Sequence, residues 1–308
     1  MLRLIADQYS QIQHGEPRSA EVEPAPVAGN GAKVSQEGQV RPPMRRSIRI
    51  APQHETAPRE NGRGPYRIPG YGYRLLLWPG VPSVPAGPAA GEGEGGPGAT
   101  VNDLLVAALI ETVRRWNRGH RQRAHAGSCI RISMPLDARP PGAGDELGNL
   151  SRLSTVTAEP DSGDDRDPVA AVAGQTRQAK DEPGPQVDPA LAALARAPLP
   201  VTAKRRLLRT AVRCLGPLVS DTSLLSNLGR VTHPPRFGSL SPERIWFSTS
   251  AHMPRGLSAG AITIDGQLHL CFRYRRALLD DAAAADFAAT YASALSHLAE
   301  SPAKEGGT

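Results

Sequence analysis

Residues Gly260–Arg275, GAITIDGQLHLCFRYR, read as a two-stranded hairpin. Asp265-Gly266 is the turn signal, because the favoured two-residue hairpin turn needs positive φ at both positions, which Gly and Asp tolerate. It separates Ala261–Ile264 from Gln267–Tyr274, whose β-branched, aromatic and apolar residues suit a pleated surface. Just upstream, Thr222–Arg230, TSLLSNLGR, contains a strand over Thr222–Leu228, and both Arg244–Thr249 and Leu257–Ile264 read as extended. Downstream, Asp280 or Asp281 caps a closing helix. Its apolar face repeats at helical spacing through Ala284, Phe287, Ala288, Tyr291, Leu295 and Leu298.

Working back toward the N-terminus, Thr100 is positioned to N-cap a helix, and Asp103 completes an acidic capping box. Leu104, Leu105, Ala108, Leu109, Thr112, Val113 and Trp116 make its wide apolar face, which ends near Gly119. Cys129–Leu136 and Asn149–Ala158 follow as strands. A helix over Pro168–Glu182 has Asp167 as N-cap and Pro168 at its first position. Two more helices fall around Pro189–Ala197 and Thr202–Leu218. Strands and helices in irregular order favour an α+β class, a mixed layered sheet with helices, over a doubly wound parallel sheet. Three regions result: a lead-in helix over 1–15, a largely disordered connector over 16–97 with one strand near 71–78, and a lobe over 98–300. The connector reading rests on 16–64, which is rich in Pro, Gly, Glu and Arg and has little periodicity.

The chain has 308 residues, 30 of them Pro and 31 Gly, enough material for a substantial core. A net charge of +6 comes mostly from dispersed Arg, with no Lys/Arg stripe interleaved with aromatics, so no nucleic-acid partner is expected. Cys129, Cys214 and Cys271 cannot all pair and lack metal spacing, which fits small core residues in a reducing, cytoplasmic setting. No apolar run approaches the roughly 18–20 residues of a membrane span. No GxSxG elbow or metal-type cluster is evident, and no His is read as locally paired with a Ser or Cys nucleophile.

Four pieces now stand in order: Gly98–Leu105, Leu147-Gly148-Asn149-Leu150, Thr222–Arg230 and the Gly260–Arg275 hairpin. Together they resemble the condensation-like acyltransferases, relatives of nonribosomal peptide condensation domains, wax ester synthases and chloramphenicol acetyltransferase. The chain is most similar to stand-alone condensation-like proteins of actinobacteria, with the resemblance running over residues 70–298. It implies a chloramphenicol acetyltransferase-like lobe, the second of two around a channel. The family's catalytic HHxxxDG loop does not occur in these residues. Met1–Gly15 resembles the helix that usually follows that loop, LLxxLAxxYxxxxxG, so the expectation is a chain that begins just after it and lacks the first lobe. The implied activity is acyl transfer to a hydroxyl or amine in lipid or secondary-metabolite biosynthesis. The donor would be a CoA or phosphopantetheinyl carrier-protein thioester, with no bound cofactor and no catalytic base in this chain. The alternative is a non-catalytic lobe that binds a carrier protein or acts as a scaffold.

By the same resemblance, Ser226 and Asn227 border the substrate channel, and Ser248 and Thr249 on a following strand line it with hydroxyls. Asn227-Leu228-Gly229 also reads as a structural turn, and Leu147-Gly148-Asn149 as a turn entering a strand. Lys204, Arg205 and Arg209 on a basic helix would dock an acidic carrier protein, or would simply form a solvated face. Of the eight histidines, His14, His54, His120 and His125 look solvated, and His297 sits in the closing helix. His269 falls on the polar face of a hairpin strand. His233 and His252 lie beside prolines in loops.

Overall fold

The computed structural model describes residues 45–53, 73–82, 99–120, 124, 127–137, 151–161, 167–181, 196–207, 210, 220–232, 234–251 and 255–300. Helix α1, Val101–Gly119, starts as its sequence dictates. Thr100 accepts a hydrogen bond from the Asp103 amide, and the Asp103 carboxylate accepts from the Thr100 amide at 2.8 Å. These bonds satisfy amide donors that the first helical turn leaves open. Helix α2, Pro168–Asp181, uses Asp167 in the same way: its Oδ1 accepts from the Val169 amide at 2.9 Å. Helix α3, Asp281–Glu300, is capped by Asp280, whose Oδ1 accepts from the Ala283 amide at 2.8 Å.

The strands are β1 (Arg46–Ser47), β2 (Tyr73–Pro82), β3 (Ser128–Asp137), β4 (Ser151–Ala158), β5 (Ser223–Arg230), β6 (Leu257–Ile264) and β7 (Gln267–Arg275). They form one seven-stranded sheet in the order β1-β3-β5-β6-β7-β2, with β4 paired to β3. β3 pairs parallel with β1 and β5, β5 pairs parallel with β6, and the remaining ladders are antiparallel. This is the expected mixed α+β sheet. The hairpin turns at Asp265 (φ 47°) and Gly266 (φ 72°), both in the left-handed region that the Asp-Gly pair was read to supply. At the far edge, the Gln175 side chain of α2 exchanges two 2.9 Å hydrogen bonds with the Thr157 backbone of β4, blunting that edge.

The pleat divides the sheet. Leu257, Ala259 and Ala261 of β6 and Leu268, Leu270, Phe272 and Tyr274 of β7 join the core with Ile130, Ile132 and Met134 of β3. This inner face carries α1 and α3. Phe272 meets Phe287 and Tyr291 edge to face, Trp116 meets Phe287 likewise, and the Tyr291 hydroxyl donates to the Leu105 carbonyl at 3.1 Å.

Residues 45–53 depart from the connector reading. β1 pairs with β3, and Ile50 and Ala51 are buried in the main core. Side chains of α1 replace a ladder for this segment. Asn117 accepts from the Ala51 amide at 2.8 Å and donates to the Arg49 carbonyl at 3.0 Å, while the Trp116 indole donates to the Ala51 carbonyl at 3.0 Å. Thr222, just before β5, ties the end of β1 to β3, donating to the Ile48 carbonyl at 2.7 Å and accepting from the Arg131 amide at 3.1 Å. Arg45 grips both carboxylate oxygens of Glu159. A composition averaged over 16–64 hides the short apolar run Ile48-Arg49-Ile50-Ala51.

One further expectation changes: Arg244–Thr249 is not a strand of the sheet. The 1–15 helix, the Leu147-Gly148-Asn149 turn and most of the Pro189–Ala197 helix lie outside the described residues. Among the described residues, no helix is long and apolar enough to cross a membrane.

Candidate functional site

The outer face of the sheet, opposite the helices, carries the alternate residues of each strand: Ser226 on β5, Ser258, Gly260, Ile262 and Ile264 on β6, and His269 and Cys271 on β7. A face left to solvent would expose them, yet every residue of β6 is buried. Residues 244–251 provide the cover, running over β6 and β7. Gly260 shows how closely this segment lies, since a Cβ there would stand 2.6 Å from the Phe247 carbonyl oxygen. The Trp246 indole donates to the Trp78 carbonyl at 3.2 Å, and the Ser258 hydroxyl donates to the Thr249 carbonyl at 3.4 Å. Arg275 Nε donates to the Ala251 carbonyl at 3.3 Å.

His269 lies beneath this cover, 3% exposed, with the Trp246 ring edge-on at 5.3 Å between centroids. Neither ring nitrogen has a hydrogen-bond partner among the described residues, and the same holds for the buried Thr249 Oγ1. Burial, with a smaller contribution from the charge on Arg244, moves the His269 pKa below its ordinary value, so the neutral imidazole is favoured. The polar-face reading of His269 is therefore corrected. Its strand does alternate, but 244–251 arrives from elsewhere in the chain to bury that face. A local clue was the small-residue run Ser258-Ala259-Gly260-Ala261, since Gly inside a strand marks a close approach of backbone. Cys271, on the same face, is buried and its thiol pKa is pushed up, as is that of Cys129, so neither is an activated thiolate.

The expected site residues separate. Ser226 is buried on the outer face, in register with Gly260. Asn227, the next residue, goes to the opposite side of the pleat, and its Oδ1 accepts from the Gly229 amide at 2.9 Å beside a glycine with φ 73°. The turn reading of Asn227 thus describes its contact. Ser248 is exposed, and Thr249 is half-buried above Ser258. Lys204 is half-buried and Arg205 exposed in the helical residues 201–207, and Arg209 lies outside the described residues. His120 stacks on Trp116 and its Nδ1 lies 2.8 Å from the Trp116 carbonyl, and His297 is exposed on α3. His14, His54, His125, His233 and His252 fall outside the described residues. A shallow cavity lined by Ile48, Arg114, Asn117, Arg118 and Asp161 belongs to the junction of α1 with 45–53, away from the outer face.

No known family profile matches the chain. It is 33% identical over 205 residues to the uncharacterised proteins Rv2305 and MT2362 of Mycobacterium tuberculosis. The match covers 63% of this chain and 45% of each of theirs, so the chain spans about half the length of the curated relatives it matches. Among solved structures, the nonribosomal peptide synthetase FmoA3 aligns with a TM-score of 0.51 at 14% identity, over 85% of this chain and 24% of that one. Trichothecene 15-O-acetyltransferase TRI3 of Fusarium sporotrichioides aligns with a TM-score of 0.50 at 14% identity, over 75% of this chain and 47% of that one. At these identities the likeness is one of fold. The sheet with its helical layer is a condensation-domain-like lobe of the chloramphenicol acetyltransferase-like fold.

Proposed function

We propose that this lobe forms one wall of an acyl-transfer channel. In this reading the acyl group comes from a thioester of CoA or of a phosphopantetheinyl carrier protein. It passes to an acceptor hydroxyl or amine in lipid or secondary-metabolite biosynthesis. The observation that carries the reading is the Ser226 hydroxyl on the outer face, in a lobe whose fold is shared with an acetyltransferase. The acceptor oxygen or nitrogen attacks the thioester carbonyl, a base takes its proton, and the thiolate leaves and is reprotonated. Ser226 and the Thr249 hydroxyl would orient the acyl carbonyl and stabilise the oxyanion. Asn227 would hold the β5 terminus in shape. The base would come from a first lobe bearing HHxxxDG and not from the residues of this chain. A chain spanning 45% of its curated relatives fits one lobe of a two-lobed enzyme. Lys204 and Arg205, with Arg209, would meet the acidic surface of a carrier.

A second reading is a lobe that binds a carrier protein without turnover. It is favoured by two described histidines: His120 is committed to Trp116, and both ring nitrogens of His269 are buried without a partner among the described residues.

The test is acyl transfer from acyl-CoA and acyl-carrier thioesters by the purified chain, alone and co-expressed with a first lobe bearing HHxxxDG. The chain alone should be inactive, the pair active, and Ser226→Ala in the pair should slow single turnover by roughly tenfold or more at unchanged Tm. A carrier that binds without turnover in either preparation would support the second reading. Transfer by the chain alone would overturn the placement of the base, and neither binding nor transfer would overturn both readings.

A further inference from the structure

The cover over His269 is held unevenly along its length. At its start, Phe237 and Leu240 exchange backbone hydrogen bonds of 3.0 and 3.2 Å around Gly238. At its end, Arg255 pairs with Asp221 at 2.7 Å with both side chains largely buried, and the Arg275 amide donates to the Gly256 carbonyl at 2.8 Å. Between these anchors, over residues 241–251, the described hydrogen bonds are the three long ones from Trp246, Ser258 and Arg275, at 3.2 to 3.4 Å. Among the described residues, no backbone ladder joins this segment to the sheet. The middle is therefore tied by weak bonds and side-chain packing alone, and hydrogen bonds of this length contribute little.

What the segment covers also disfavours a closed state. It buries an imidazole with both nitrogens unpartnered among the described residues and the Thr249 hydroxyl with no described partner, and unsatisfied buried polar atoms carry a desolvation cost. Lifting the middle would return these groups to water while leaving the inner-face core on the other side of the sheet intact.

We propose that Arg244–Ala251 is a strap, anchored at Phe237–Leu240 and Arg255–Asp221, that lifts from the outer face to expose His269 and the Ser226–Ser258 row. Opening of the strap controls access to that face. The proposal concerns the face assigned above to acyl transfer but does not depend on that chemistry, since its test reads access to one imidazole.

The measurement is carbethoxylation of the full chain by diethyl pyrocarbonate, located by peptide mass spectrometry, with exposed His297 as the internal reference. In the wild type, His269 should react much more slowly than His297, with a weaker urea dependence than global unfolding. Ser258→Ala removes one tie about four residues along β6 from the residue facing His269. It should raise His269 reactivity about twofold, the population change expected from losing a hydrogen bond at the weak end of the usual range. Gly260→Ala, whose Cβ would displace the Phe247 carbonyl, should raise it further. His269 as reactive as His297 in the wild type would overturn the proposal, because the strap would not be a cover. Unchanged reactivity in Ser258→Ala would overturn it as well, as would a urea dependence equal to that of global unfolding. Should Gly260→Ala not fold, the wild type and Ser258→Ala decide alone.

Discussion

Replacing Asn117 by Ala tests whether residues 45–53 belong to the fold. The Asn117 side chain serves two backbone groups of that segment, accepting from the Ala51 amide at 2.8 Å and donating to the Arg49 carbonyl at 3.0 Å. Ala51 is buried in the core, so its amide has no ready access to water once Asn117 is gone. Leaving that donor unsatisfied costs about 1–3 kcal/mol, and losing the second, partly buried bond adds about 0.5–1.5 kcal/mol. The expected loss is therefore roughly 2–4 kcal/mol, a large share of the ~5–15 kcal/mol of a typical domain. For a folded unit of this size it corresponds to a fall in Tm of roughly 5–12 °C. Urea denaturation followed by tryptophan fluorescence measures it, because Trp116 donates to Ala51 from the neighbouring position. Trp116→Phe probes the other side of the same peptide, and the double variant should lose less than the two singles added together, since both act on one network. A loss below about 1 kcal/mol in Asn117→Ala would show that the segment only rests on α1, and the reasoning would fail.

Stability should depend on pH through His269. Its folded-state pKa lies below the ordinary value of 6.5, so in the window between the two the unfolded chain binds more protons than the folded one. Stability is then full above about pH 6.5 and declines as pH falls toward the folded-state pKa. His269→Phe should abolish this part of the loss, and the difference in urea midpoint between wild type and variant at several pH values isolates it from carboxylates such as Glu159. A constant difference would show that His269 is not held neutral by burial. Asn227→Ala should lower stability by about 1 kcal/mol, as removal of a side chain satisfying a turn amide does, while leaving single turnover per folded molecule unchanged in the two-lobe assembly. A rate loss without a stability loss would return Asn227 to the channel.

Several elements could be read from neighbouring residues because their causes are local. Thr100 and Asp103 lie within one helical turn, so the capping box over α1 is a property of four residues. Asp167 with Pro168, and Asp265 with Gly266, act over still shorter spans. The same locality limited the reading of the site. Ser226 and Asn227 were paired because they are adjacent, but the pleat sends adjacent residues to opposite faces, and the Gly229 amide takes up the Asn227 oxygen. Arg244–Thr249 has strand-like composition, yet it lies on the sheet instead of in it, because β5, β7 and β2 already fill the ladders on that side.

The helix starts, the hairpin turn, the alternation along β6 and β7 and, through four short motifs in order, the resemblance to condensation-like lobes are all legible in the residues alone. Each depends on φ preferences, capping or periodicity within a few residues. It takes the packed fold to make Ile50 and Ala51 core, to bury both faces of β6, and to seal a histidine on a polar strand face beneath Trp246. Those outcomes turn on which distant segment arrives to remove a surface from water. Asn117 meets Ala51 across 66 positions, and the Trp246 indole meets the Trp78 carbonyl across 168. Burial is a property of the packed chain, and no local pattern encodes the partner that completes it.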